Sequence, residues 1–330
     1  MDDRVFSIPG LVDLQVNGYG GVDFSDPGLT GEMFTAAARR ILDCGATAFL
    51  PTVVTVPEEI YRRILPLIAD VMDTPEFRGR IPGIHIEGPF IARAACGAHN
   101  ASWIHSPDPD LLDRFVEWSR GRIRMVTVAP EVESADRLIR RAVEHGITVS
   151  IGHSMAAAFD VECAVEAGAR AMTHLGNGIP GIIPRHDNPI WSGLSDDRLT
   201  VMMITDGHHL PLPVIKTFVR AKGAARCVVT SDASPYAGLE PGEYTYMGVR
   251  VVLEKNGLLH NPAQGNLAGS SSTMMECMNH LASLDLMSPD ELVQVCYYNP
   301  LKLIGVDTSS VRSTRDVVYD MDERRFSFAG

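Results

Sequence analysis

Eight short runs rich in β-branched and other apolar residues recur along most of the chain, and amphipathic stretches separate them. Polar residues mark the ends of these runs from Asn17 to Asp232, and successive ends lie about 31 residues apart, the length of one strand–helix–strand unit. This repeat predicts a (β/α)8 TIM barrel, because each pair of parallel strands needs a crossover connection. The predicted strands cover 11–16, 46–54, 81–87, 123–129, 147–152, 171–175, 200–205 and 226–231.

Helix signals fill the intervals between these runs. The helical patterns begin with residues such as Pro57 or Ser134 and end at glycines such as Gly146 and Gly168, which is the usual start and stop chemistry. The regular spacing favours one domain over the two that a length of 330 residues also allows, so we predict a single barrel over 1–330 with its core at about 9–306. The predicted helices cover 31–43, 57–72, 109–119, 134–145, 156–167 and 213–222.

The pattern changes after the eighth strand. Residues 243–260 hold two alternating runs joined by Asn256-Gly257, which predicts a β-hairpin inserted into the last loop, above the barrel mouth. Helices are predicted from near Ser271 and over 289–298, and 307–330 reads as a polar, weakly patterned tail.

Composition narrows the choice of partner and compartment. The net charge is −12 and the chain has no basic run, which argues against nucleic acid and anionic membranes as partners. The six cysteines form no C-x-x-C pair, the N-terminus lacks signal-peptide features, and no apolar run is as long as a membrane span. We therefore expect a cytoplasmic protein with reduced cysteines.

Four polar side chains stand at predicted strand ends, where barrels of this class build their active sites. Glu87 ends strand 3, His153 follows strand 5, His174 lies in strand 6 and Asp232 follows strand 8. Two histidines and a glutamate are the three protein ligands of a catalytic zinc site that leaves a position for water. Asp232 is then placed to act as general base and acid.

Two further patterns limit the chemistry. None of the four lysines lies at a predicted strand end, which argues against a Schiff-base enzyme and a carboxylated-lysine binuclear site. Gln15 and Asn17 occupy the strand 1 positions at which many metal-dependent barrel hydrolases carry two histidines. Both are poor zinc ligands, so we predict one tightly bound metal ion.

Several segments, in their order and spacing, resemble N-acetylglucosamine-6-phosphate deacetylases of the amidohydrolase superfamily. The resemblance covers about residues 9–306, and the intervals from Glu87 to His99 and from His153 to His174 fit as well. The matching segments are GLVDLQVNG (10–18), HIEGP (85–89), GAHN (97–100), GHS (152–154), THLGN (173–177), DGHH (206–209), SDA (231–233) and GNLAGSS (265–271).

The resemblance implies a role for each matching residue. Glu87, His153 and His174 would bind one divalent metal ion, for which Zn²⁺ is the leading candidate and Fe²⁺, Co²⁺ and Mn²⁺ are the alternatives. Asp232 would be the catalytic acid/base. His99 would polarise the acetyl carbonyl. Ala98, Asn177 and Gly178 would contact the substrate through main chain and a side-chain amide. Arg185 and His209 would supply positive charge for the phosphate. The loop that would close over the substrate consists of Leu267, Ala268, Gly269 and Ser270.

The implied reaction is metal-dependent hydrolysis of the N-acetyl amide of an amino sugar phosphate, N-acetylglucosamine 6-phosphate first, to glucosamine 6-phosphate and acetate. Family members are commonly dimers with the phosphate pocket near the subunit boundary, so a homodimer is expected. They also usually carry an accessory β-domain built from both chain ends, which we expect to be largely missing here.

Two features of the sequence leave alternatives open. Residues 184–191 differ from the usual family sequence around the phosphate arginine, and Gly178 replaces the commoner alanine. The alternatives are an amidohydrolase for another N-acyl amino sugar or an N-acyl amino acid and, from another class, a non-catalytic sugar-phosphate-binding protein.

Overall fold

The structure is a computed structural model that describes residues 4–246, 249–263, 265–313 and 315–329. Its centre is an eight-stranded parallel sheet in which neighbours along the chain are neighbours in space. A parallel bridge between Val16 and Ala233 joins the last strand end to the first, with the Asn17 amide donating to the Ala233 carbonyl at 2.8 Å. The predicted (β/α)8 barrel is therefore confirmed. Its strands are β1 (Val12–Val16), β2 (Ala48–Val54), β3 (Ile84–Glu87), β4 (Ile123–Val128), β5 (Thr148–Ile151), β6 (Ala171–Met172), β7 (Thr200–Ile204) and β8 (Cys227–Thr230).

Helices pack around this sheet through apolar faces. The first is capped by the Thr30 side chain, which accepts from the Met33 amide, and it buries residues such as Phe34 and Ile41. A short helix after β6 was not predicted; the Asn188 side chain accepts from the amides of Ile190 and Trp191 and starts it. The helices are α1 (Gly31–Asp43), α2 (Glu58–Met72), α3 (Pro109–Trp118), α4 (Ala135–Glu144), α5 (Ala158–Ala167), α6 (Pro189–Ser195), α7 (Leu212–Lys222) and α8 (Met274–Ser283).

The insertion after β8 is a four-stranded antiparallel sheet, larger than the predicted hairpin, and we call it the lid sheet. Asn256-Gly257 lies in the turn between its second and third strands, where Gly257 has a φ of +89°. The connection between the first two strands contains residues 247 and 248, which lie outside the described residues. The lid sheet consists of Gly242–Tyr246, Val249–Leu253, Leu259–Asn261 and Asn266–Leu267.

The two chain ends form a second small sheet. Val5–Ile8 pairs antiparallel with Val317–Asp320, which pairs with Arg325–Phe328. Asn279 of α8 fixes this sheet to the barrel by exchanging two hydrogen bonds with the backbone of Phe326, at 2.7 and 3.1 Å. The polar, weakly patterned tail predicted at 307–330 thus contains two strands; strands of four residues are too short to leave a clear period-two pattern in the sequence.

The remaining elements are short. Among the described residues, no helix combines the length and the apolar character needed to cross a bilayer. The predicted cytoplasmic location stays a prediction. The short elements are strands Gly18–Tyr19 and Val22–Asp23, 3-10 turns Arg93–Ala95, Ala101–Trp103, Ala224–Arg226 and Thr308–Ser310, helices Pro289–Val293 and Asn299–Leu303, and the π-helical turn Gln294–Tyr298.

Candidate active site and metal centre

The ends of β3, β5, β6 and β8 bring the four predicted polar residues to one mouth of the barrel. Glu87 is the last residue of β3, and His153, His174 and Asp232 each follow a strand by two residues. These three have left-handed backbones, with φ of 49°, 27° and 51°. Because such conformations cost non-glycine residues about 1–3 kcal/mol each, their concentration here indicates a functional site.

Glu87, His153 and His174 form a buried cluster whose three ligand atoms all lie within 4.8 Å of one another. Glu87 Oε1 lies 3.2 Å from His153 Nε2 and 2.9 Å from His174 Nε2. Burial opposes ionisation of Glu87, but the hydrogen bonds of the two histidines outweigh it and hold the pKa of the carboxyl well below its usual range. The cluster can therefore hold a metal ion.

The tautomer of His153 fits that use. Its Nδ1 lies 2.9 Å from the carbonyl oxygen of Ala95, which can only accept, so Nδ1 carries the proton. Nε2 is then the nitrogen left to face Glu87 Oε1, either as a donor from a ring protonated on both nitrogens or as a ligand to a cation held beside that carboxylate. A backbone carbonyl that orients a histidine in this way is typical of metal ligands.

Asp232 stands beside the cluster and shares a donor with it. The side-chain nitrogen of Gln15, Nε2, donates to Glu87 Oε1 at 2.8 Å and to Asp232 Oδ1 at 2.9 Å. The side-chain nitrogen of Asn17, Nδ2, donates to the same Asp232 oxygen at 2.7 Å. Burial and the negative charge of Glu87 raise the pKa of Asp232 to about 6. Such a carboxylate is a stronger base than an exposed one.

His99 reaches the cavity from the loop after β3. The Thr55 amide donates to His99 Nδ1 at 3.3 Å, so the proton of the neutral ring lies on Nε2, which is 3.9 Å from Glu87 Oε2. Burial, followed by the charge of His153, lowers the pKa of His99 to about 3, which keeps the ring neutral. His99 can therefore present an N–H to an oxygen atom bound beside the cluster.

These groups line a cavity of about 250 Å³ that opens at the C-terminal face of the barrel. All but two of the residues predicted for the site line it. They are Glu87, Ala98, His99, His153, His174, Asn177, Gly178, His209, Asp232, Leu267, Ala268 and Gly269.

The two exceptions are Arg185 and Ser270. Arg185 is exposed on the loop between β6 and α6 and does not line the cavity. Ser270 is buried behind the cavity wall, where its hydroxyl donates to Asp206 Oδ2 at 3.0 Å.

Gly178 lies against the rings of His153 and His174. Its φ is +61°, and a Cβ at this position would stand 2.9 Å from His174 Cε1 and 3.0 Å from His153 Nδ1. An alanine would therefore require the two rings to move in this arrangement of the site.

Several residues that hydrogen-bond the predicted site residues are not themselves predicted for the site. The sequence indicates Gln15 and Asn17 only as poor metal ligands, although the alternation of β1 places both on the inner face beside Asp232. Thr55 holds His99, and no sequence signal indicates it. Asp206 holds His209, and the spacing of three residues in DGHH is a signal that could have found it.

Known proteins with similar sequences include amino sugar 6-phosphate deacetylases. No protein-family model matches the chain. The chain is 36% identical over 326 residues to N-acetylglucosamine-6-phosphate deacetylase of Bos taurus, covering 95% of this chain and 78% of the relative. It is 30% identical over 307 residues to N-acetylgalactosamine-6-phosphate deacetylase of Escherichia coli O157:H7, covering 92% of this chain and 80% of the relative.

A solved structure agrees with the sequence relatives. A mutant N-acetyl-D-glucosamine-6-phosphate deacetylase of Mycobacterium smegmatis, in complex with N-acetyl-D-glucosamine-6-phosphate, superposes with a TM-score of 0.88 at 27% identity. The match covers 98% of this chain and 85% of that one. Because this chain matches most of the length of relatives that are 30% and 36% identical to it, it belongs to the N-acetylglucosamine-6-phosphate deacetylase family of the amidohydrolase superfamily.

Proposed function

We propose that this chain hydrolyses the N-acetyl amide of an amino sugar 6-phosphate, N-acetylglucosamine 6-phosphate first, to the free amine and acetate. The observation that carries the proposal is that Glu87, His153 and His174 lie together beside Asp232 at one end of the barrel, in a chain that belongs to this deacetylase family. Three ligands with a neighbouring carboxylate form the arrangement required for metal-assisted hydrolysis.

The metal would be held by Glu87 and the two histidines, and Zn²⁺ suits two imidazoles and one carboxylate. When bound, a divalent ion there acidifies a water molecule and polarises a carbonyl oxygen. We propose one ion per chain, because Gln15 donates to Glu87 and Asp232, and Asn17 donates to Asp232, so both side chains present N–H groups here and not metal ligands.

The chain's own residues would move the proton and stabilise the charge. Asp232 accepts a proton from the attacking water and returns it to the leaving amine, so the carboxylate is regenerated. The His99 Nε2–H donates to the carbonyl oxygen as negative charge develops on it. Gln15 and Asn17 hold the Asp232 carboxylate in place during both transfers.

The far side of the cavity would bind the sugar phosphate. Asn177 and Gly178 are placed for amide and main-chain contacts, His209 supplies a ring nitrogen, and Leu267 to Gly269 cover the substrate. In a protein of net charge −12, a local positive group is needed to bind an anion.

We also propose that Arg185 acts across a homodimer. Arg185 belongs to an exposed loop next to three exposed apolar side chains, Phe159 (76%), Ile182 (91%) and Trp191 (51%). A cluster of large apolar groups of this kind is typical of an interface. Sedimentation equilibrium of native and Ile182→Asp protein tests it: the native chain is expected to dimerise and the variant to be a monomer.

A panel of matched substrates tests the proposed function. Released acetate is measured for N-acetylglucosamine and N-acetylgalactosamine, each with and without a 6-phosphate, and for N-acetyl amino acids. Hydrolysis of a 6-phosphate sugar with at least tenfold preference over its unphosphorylated partner is expected, about the value of one charge-assisted hydrogen bond. Preference for an amino acid would support the alternative amidohydrolase, and binding without turnover by metal-loaded protein would support the non-catalytic alternative.

A further inference from the structure

Asp206, at the end of β7, lies behind the cavity wall and receives four hydrogen bonds. Its Oδ1 accepts from the backbone amides of His208 and His209, both at 2.9 Å. Its Oδ2 accepts from His209 Nδ1 at 2.7 Å and from the Ser270 hydroxyl at 3.0 Å. The side chain is 2% exposed, so these partners replace water around a buried charge.

The contact with His209 fixes which atom of that ring faces the cavity. His209 lines the cavity, and its side chain is 5% exposed. Because Nδ1 donates to Asp206, Nε2 is the nitrogen left for a ligand. The carboxylate also supplies the negative charge that lets a buried imidazole carry a proton on both nitrogens and donate to an anion.

The contact with Ser270 ties the same carboxylate to the substrate-covering loop. The Ser270 amide donates to the Asp232 carbonyl at 3.0 Å, and the Ser234 amide donates to the Ser270 carbonyl at 2.8 Å. Ser270 directly follows Leu267 to Gly269 of the cavity wall. One buried oxygen thus connects the His209 ring, this loop and the backbone that carries Asp232.

We infer that Asp206 is a positioning residue for anion recognition: it orients the His209 ring and places a negative charge beside it while fixing residues 267–270 over the same ligand. This inference rests on the proposed function and extends it, because it assigns substrate affinity to a residue that does not touch the cavity. The ligand chemistry it serves is a phosphate monoester or another oxyanion on the substrate.

A double-mutant cycle between Asp206→Asn and His209→Asn tests the inference. In the metal-loaded native enzyme we expect Asp206→Asn to raise the KM for N-acetylglucosamine 6-phosphate about tenfold to a hundredfold, as for one hydrogen bond to a charged group. The kcat is expected to fall less than KM rises, and the KM for unphosphorylated N-acetylglucosamine to change little. In the His209→Asn background, Asp206→Asn is expected to add at most a small further rise, because most of its effect passes through His209 and only the contact with Ser270 remains to be lost.

Two controls separate positioning from loosening of the fold. Ser270→Ala removes one of the four hydrogen bonds and is expected to raise KM less than Asp206→Asn does. Thr205→Val removes a buried hydrogen bond from the Thr205 hydroxyl to the Cys277 carbonyl, 2.8 Å long, next to Asp206 but outside its network. It is expected to lower the melting temperature with KM unchanged.

Binding of inorganic phosphate, measured by calorimetry, repeats the cycle without turnover. Weaker phosphate binding in Asp206→Asn, with at most a small further loss in the double variant beyond His209→Asn, supports the inference even if the native protein hydrolyses no acetylated sugar. Equal KM factors in both backgrounds overturn it, as does a native enzyme that hydrolyses the sugar phosphate while Asp206→Asn leaves its KM and phosphate affinity unchanged.

Discussion

Asp232 and Asp206 are buried aspartates at the ends of adjacent strands, and their surroundings are electrostatically opposite. Asp232 lies beside Glu87, and burial together with that negative charge raises its pKa to about 6. For Asp206, burial also opposes ionisation, but the hydrogen bond and charge of His209 outweigh it and hold its pKa below its usual value. The neighbouring side chain, not the depth of burial, decides which carboxylate is a base and which is a fixed charge.

This difference divides the cavity into a reactive half and a recognition half. Next to the proposed metal ligands, a carboxylate that readily takes a proton is suited to accept one from water. On the recognition side, a carboxylate that stays ionised is suited to support a cationic ring. Substitutions on the two sides should therefore affect different kinetic constants.

Asp232→Asn is expected to give the largest effect. The amide can still accept from Gln15 and Asn17 but cannot accept a proton from water, so kcat should fall by about 10²–10⁴-fold or more. Metal content, measured by elemental analysis, should stay near that of the native protein. An Asp232→Asn variant with unchanged kcat would remove Asp232 from the mechanism.

Arg185→Ala is expected to give an intermediate effect on the recognition half. Loss of the guanidinium should raise the KM for a phosphorylated substrate about tenfold, with little change for the unphosphorylated one. Steady-state kinetics on the matched pair measure this. Arg185→Lys is the control, since it keeps the positive charge but loses the planar guanidinium group that can donate two parallel hydrogen bonds. Equal effects of Arg185→Ala on both substrates would mean that the natural substrate carries no phosphate.

The reactive half could be predicted from the sequence because strand ends fix it. Parallel strands with a regular repeat deliver their last residues to one face, so Glu87, His153, His174 and Asp232 could be brought together from spacing alone. The three left-handed backbones at this face could not be predicted, since local propensity disfavours them and only the surrounding barrel enforces them.

The recognition half depends on loops, and spacing says little about loops. The resemblance indicated His209 and residues 267–270, but not that Asp206 joins them, because that contact links positions 64 residues apart. The tail strands at 317–320 and 325–328 were missed for a related reason: Tyr319 and Phe326 are buried by pairing with the opposite chain end and packing against α8.

The smallest effect, and the one that compares the two aspartates directly, is on the stability of metal-free protein. Asp206 has a lowered pKa in the folded state, so its ionised form stabilises the fold above its ordinary value of 3.8, and this is lost as pH falls through the folded pKa. Asp232 has a raised pKa, so its ionised form costs stability above about 6, and this cost disappears as pH falls toward 3.8.

At pH 7, Asp206→Asn should therefore lower the melting temperature and Asp232→Asn should raise it, each by a few degrees. The Asp232→Asn gain should shrink in scans between pH 6 and pH 4, whereas the Asp206→Asn loss should persist at pH 4 and shrink only below 3.8. The Asp232→Asn gain should also shrink when Zn²⁺ is added, because a cation offsets the charge of Glu87. If both variants shift the melting temperature in the same direction at pH 7, the two carboxylates do not differ in the way their neighbours imply, and the division of the cavity into two electrostatic halves is wrong.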